Sequence, residues 1–215
     1  MRSLIAASTL LLMTACATSD GDREPVNVDT PPATQTVPDA FDLAMQTVDG
    51  LVAGGNEQAA IDRLTQLLGR PDLSDEDLAA TLLKRAELRY GAGHDVEGAL
   101  LDLEELFLTY PDSPSAAAGT PLHANAAEEI SRLRAALAGG ELSPTEEFNV
   151  RFRLGQHQDA ADLMLARSLL PENEYVVDMF QMGYLCDDET LTGPGYAMVE
   201  PDGTERTVRF CEFGK

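Results

Sequence analysis

The stretch from Ala80 to Ser113 constrains the fold of this chain more than any other. Leu82, Leu83, Ala86 and Tyr90 recur at helical spacing, and Ala99, Leu100, Leu103, Leu106 and Phe107 do so again further on. Between the two runs, Gly91, Gly93 and Asp95 break the pattern. The glycines give the backbone freedom that ends a helix, and the Asp95 carboxylate can accept the orphan amides that open the next. The stretch is therefore expected to form two helices joined by a short turn, with one apolar seam. The rest of the chain reads as flanks to this hairpin.

Leu83, Ala86, Tyr90, Ala99, Leu103, Leu106 and Pro111 fall where the tetratricopeptide repeat, a helix-turn-helix unit of about 34 residues, places its packing residues. The stretch resembles that family, with Glu87 standing where a small residue is usual. Upstream, Phe41, Ala44, Met45, Val48, Leu51 and Val52 form one helical face, Gly54-Gly55-Asn56 breaks it, and Ala60, Ile61, Leu64, Leu67 and Leu68 form the next. This looks like another copy of the repeat. Ser74 followed by Asp75-Glu76-Asp77 supplies a cap and first-turn carboxylates for the helix after it.

A third helical stretch is expected from about Leu122 to Leu137, stopped by Gly139-Gly140. The phrase from Thr109 to Ala116 resembles the inter-repeat joints of periplasmic repeat proteins that serve outer-membrane assembly and the Tol-Pal system. A fourth hairpin follows. Ser143, Pro144 and Glu146 give the start signals of a capped helix, Gly155 breaks it, and Ala160 to Leu170 continue before Pro171.

The first residues have a different purpose. Arg2 precedes an apolar run from Leu4 to Met13 that is too short to span a bilayer. The ending Met13-Thr14-Ala15-Cys16 resembles a bacterial lipobox, which implies cleavage before Cys16 after its thiol has been joined to diacylglycerol. In the lipoprotein family, a residue other than aspartate after the cysteine implies export to the outer membrane, and Ala17 stands there. Several acyl chains anchor stably where one would not. From Thr18 to Asp39 the chain is polar and carries Pro25, Pro31, Pro32 and Pro38, a composition that reads as a tether.

From Asn173 the texture changes. Tyr175, Val176, Val177, Phe180 and Met182 suit a last helix, while Tyr196 to Glu200 and Arg206 to Phe210 alternate at period two around Pro201-Asp202-Gly203-Thr204, a β-hairpin signal. A lone two-stranded hairpin is marginal in water. With Cys16 committed to lipid, Cys186 and Cys211 are the two remaining thiols, and an exported chain meets an oxidising compartment. A Cys186–Cys211 disulfide is expected, worth roughly 3 kcal/mol on loop-entropy grounds.

The expected architecture is mainly α, a tetratricopeptide-like array of helical hairpins with a small disulfide-closed β-hairpin at the C-terminus. It divides into a signal peptide (1–15), a tether (16–39), a repeat-like domain (40–172) and a C-terminal cap (173–215). With 37 acidic residues against 15 basic ones and a net charge of −22, the chain lacks the basic patch that nucleic acid or anionic headgroups require. His94, His123 and His157 show no metal-ligand spacing and read as surface residues. No phosphate loop or nucleophile elbow appears, so no catalytic, metal or cofactor site is expected.

The resemblance to the repeat family implies a concave face lined by the first helix of each hairpin, here Met45, Asp49, Lys84 and Leu88, that takes a protein or peptide partner in the envelope. Two other readings stay open. One is a small-molecule or metal-binding module built on the acidic loop Asp187-Asp188-Glu189 and the Thr192 to Tyr196 segment. The other is a passive structural lipoprotein.

Overall fold

Start and stop signals in the sequence decide where each helix lies. The structure, a computed structural model, describes residues 40–211, all within one compact unit. The lipobox, Cys16 and the tether lie outside the described residues. The helices run α1 (Ala40–Ala53), α2 (Glu57–Leu68), α3 (Asp75–Tyr90), α4 (Val96–Thr109), α5 (Pro114–Gly139), α6 (Pro144–Arg153), α7 (His157–Arg167) and α8 (Asn173–Gln181). Three strands follow, β1 (Leu185–Cys186), β2 (Tyr196–Val199) and β3 (Glu205–Phe210).

The caps are formed. Ser74 accepts the Asp77 amide at 3.2 Å while the Asp77 carboxylate accepts the Ser74 amide at 3.1 Å, and Ser143 and Glu146 make the same reciprocal pair at 3.3 and 2.8 Å. Asp95 Oδ1 accepts the Gly98 amide at 2.8 Å and opens α4. Each such cap stabilises by about 1 kcal/mol.

Successive helices pack against each other, α2 on α3, α3 on α4, α4 on α5 and α6 on α7. Their seams are the aliphatic positions that the periodicity marks. Ala44, Val48, Ala60, Leu64 and Leu67 close the first hairpin, and Leu82, Ala86, Ala99, Leu103 and Leu106 close the second together with Ala116 of α5. The C-terminal core is different. Phe148, Phe152, Met164, Val176, Met179, Tyr196 and Val208 join α6, α7, α8 and the sheet in one cluster, so the segment from Asn173 is built into the same body as the helices before it.

The sheet has three strands in the order β1-β3-β2, all antiparallel, with Tyr196 opposite Val208 and Leu185 opposite Phe210. The expected hairpin is there, and β1 adds an edge that the two residues Leu185 and Cys186 were too few to announce. Tyr196 and Met198 point inward while Ala197 and Val199 are exposed, the alternation of a one-sided strand. The Cys186–Cys211 disulfide is formed across Cα atoms 5.2 Å apart.

Two helix boundaries depart from expectation. Helix α5 begins at Pro114, not near Leu122, because Ser113 caps the Ala116 amide at 3.0 Å and Pro114 takes the first helical position, where its missing amide costs nothing. The phrase from Thr109 to Ala116 thus ends one helix and starts the next. Helix α7 stops at Arg167, short of Leu170, where Ser168 turns left-handed at φ +50°.

Candidate functional site

The four expected groove residues lie on α1 and α3. Met45 and Leu88, both half-buried, pack against the core of the first hairpin from α1 and α3, and Lys84 Nζ lies 3.0 Å from Asp49 Oδ1. An apolar strip thus lies beside an ion pair. Such a solvent-facing pair contributes about 0.2–1 kcal/mol, so a partner offering its own charge can displace it at little cost.

Behind this face lies a buried charge cluster. Asp102 on α4 is 2% exposed and receives Arg85 through Nε at 3.0 Å and Nη2 at 2.6 Å. Arg89 donates Nη1 to both of its oxygens at 2.9 Å, and Arg85 Nη1 reaches Thr65 Oγ1 on α2 at 3.0 Å. Three helices are thereby tied to one carboxylate. A buried charge is tolerated only when fully paired, and this one is.

The hairpin turns converge on the C-terminal segment. Gln181 at the end of α8 accepts the Gln58 amide at 3.3 Å and donates to the Gly55 carbonyl at 2.6 Å, and Pro201 of the β2–β3 turn sits on Gly55 so closely that a Cβ there would lie 2.6 Å from its Cγ. The second turn touches the fourth hairpin through a bridge between Asp95 and Leu154. A Cβ on Gly155, which adopts φ +76°, would collide with the Asp95 carboxylate. Glycine is required there by conformation and by space.

His94 and His157 belong to this junction and not to the surface. His94, at φ +44°, sets Nδ1 2.7 Å from Asp178 Oδ2 on α8, and its ring lies 5.1 Å from Tyr175 and 6.0 Å from Phe152. His157 opens α7 with its ring 4.7 Å from Phe152, and its Nε2 is shut from solvent with no hydrogen-bond partner. Burial pushes the His157 imidazole below its ordinary pKa. His123 stacks on Phe107 at 5.2 Å and is half-buried.

The histidines lack metal-ligand spacing, and their burial comes from the fold, not from a local motif. The available signal was position, since His94 directly follows the turn glycine Gly93 and His157 stands two residues after Gly155. Beside His157 a polar cleft of about 400 Å³ is lined by Gln58, Asp62, Arg89, Asp95 and Tyr184.

A second polar set braces α5. Arg153 Nε donates to Glu129 at 2.9 Å, its Nη1 to the Gly91 carbonyl at 3.2 Å, and its guanidinium lies 4.9 Å above the Tyr90 ring. Burial would raise the Glu129 carboxyl, but the bonds from Arg153 and Tyr90 prevail and hold it below the usual carboxylate range.

In the C-terminal loop, Asp188 Oδ1 accepts the Thr190 amide at 2.8 Å and hydroxyl at 2.7 Å, and Asp187 pairs with Arg206 at 3.2 Å. Two of its three carboxylates are thus engaged within the loop and sheet. Among the described residues no three His, Cys, Asp or Glu side chains are grouped so as to hold a metal ion. The chain matches no family model, no curated protein and no solved structure.

Proposed function

We propose that this chain is a lipid-anchored protein of the bacterial envelope, held on the periplasmic face of the outer membrane through Cys16, whose tetratricopeptide-like array docks a protein or peptide partner on the face shared by α1 and α3. The lipobox resemblance supports the anchor. The single observation that carries the docking face is the meeting of Met45, Asp49, Lys84 and Leu88, an apolar strip beside a weak ion pair, at the place where the repeat resemblance puts a ligand groove. Half-buried apolar atoms supply area, and the exchangeable ion pair supplies selectivity.

The test is crosslinking in intact cells, with adducts of the wild type compared with those of a Lys84→Glu, Leu88→Asp double variant. Loss of one dominant adduct from a variant that keeps its helical signal supports the groove. An unchanged adduct pattern overturns it.

One observation favours a second face. Leu101 and Leu108 on α4, one heptad apart on one side of the helix, are 60% and 85% exposed. Glu104 and Glu105, also exposed, lie between them. A partner on this side would read the outer surface of α4 and leave the double variant's adducts intact.

A further inference from the structure

The C-terminal segment reaches the hairpin turns through two kinds of contact. At the first turn the contacts are neutral, from Gln181 and Pro201. At the second the contact is ionisable, from His94 to Asp178 on α8, and His157 of α7 lies beside it against Phe152, whose ring meets Tyr175 of α8. We propose that this second contact is an acid-sensitive latch. The His94–Asp178 pair closes the contact, whereas a proton added at His157 Nε2 has no partner and releases α8 from the turns.

Geometry sets the asymmetry. His94 Nδ1 lies 2.7 Å from a carboxylate oxygen on a residue only 9% exposed, so this pair holds the turn against α8. A charged His157 would be a cation in the first turn of α7, where the helix dipole disfavours it, with Nε2 sealed from water and unpartnered.

The charged groups that face His157 are His94 and Asp95 from the second turn, Asp178 from α8, and Arg89 and Asp62 across the cleft. Asp95 is committed to the Gly98 amide and lies 3.8 Å from Arg89, and Asp178 is committed to His94. Burial is the largest influence on His157 and lowers its proton affinity, outweighing the pull of Asp95, of the His94 backbone and of Asp178. The folded state therefore binds this proton less readily than the unfolded chain. The stability it contributes is complete above the ordinary histidine value near 6.5 and is lost as pH falls from there through the lower folded value.

The experiment is hydrogen exchange on the whole protein at pH 7.5 and pH 5.5, corrected for the intrinsic pH dependence of exchange, with the three histidine resonances titrated in parallel by NMR. At pH 5.5, amides of α8 and of the Gly91–Asp95 turn should lose severalfold and at most about tenfold in protection, the change following the His157 resonance, while α3 and α4 keep theirs. His157→Gln and His157→Leu, two neutral replacements, should abolish the pH contrast, and His94→Gln should keep it. Protection of α8 that is independent of pH in the wild type, or loosening that follows the His94 resonance, overturns the latch. So does an acid response that survives in either folded His157 variant.

Discussion

The first two hairpins and the C-terminal segment solve the same packing problem by different means. In α1–α4 the seams are aliphatic, repeat with the helical period, and are crossed by one buried charge cluster around Asp102. From α6 onward the core is aromatic and methionine-rich, its elements are short, and closure depends on a disulfide and a three-stranded sheet. Periodic aliphatic seams let each hairpin specify itself, because every residue's partner lies on the next helix. The C-terminal segment cannot specify itself that way. Its shape is set by what it covers, namely the turns of the first two hairpins.

This contrast can be broken most forcefully at Asp102. Asp102→Ala takes the carboxylate from Arg85, 11% exposed, and from the more open Arg89, and should cost about 3 kcal/mol in denaturant unfolding. Replacing Asp102, Arg85 and Arg89 together by apolar residues of similar volume should return most of that loss, since the cluster's desolvation cost disappears with it. A single substitution costing under about 1 kcal/mol would show that the cluster does not hold the helices.

A smaller effect is expected at the other end. Paired Cys186→Ser and Cys211→Ser changes should remove roughly 3 kcal/mol by the loop-closure estimate for a sequence separation of 25. The loss should fall on α8 and the sheet and spare the aliphatic hairpins, as hydrogen exchange would read it. Uniform loosening of all helices would mean that the two regions are less distinct than their cores indicate.

Least of all should follow from Lys84→Ala. With Asp49 63% exposed, losing the ion pair should change stability by no more than about 1 kcal/mol by thermal melting, which marks the pair as available for a partner.

The same contrast explains what the sequence made legible. The hairpins were readable because period, cap and breaker agreed at each step: Leu82, Ala86, Ala99 and Leu103 lie in the core, and Ser74, Asp95, Ser143 and Glu146 make the caps their positions promise. The disulfide and the paired strands β2 and β3 were readable for similar local reasons. The junction was not. His94 reaches Asp178 across 84 positions of sequence, and no local pattern encodes a contact so remote. The start of α5 was misplaced because Pro121 and several small residues dilute its apolar stripe, whereas its cap, Ser113-Pro114, was visible. Of the groove, the sequence offered positions by analogy, and the structure adds that Lys84 pairs with Asp49 and that Met45 and Leu88 pack on one aliphatic cluster.

The central functional claim is that a partner sits on the α1/α3 face. The most direct measurement places a photoactivatable residue at position 88 and, separately, at position 108 of the full-length protein in intact cells, and compares the adducts. The account predicts a discrete protein adduct from position 88 and none from position 108. An adduct from position 108 alone, or from neither position, would contradict it.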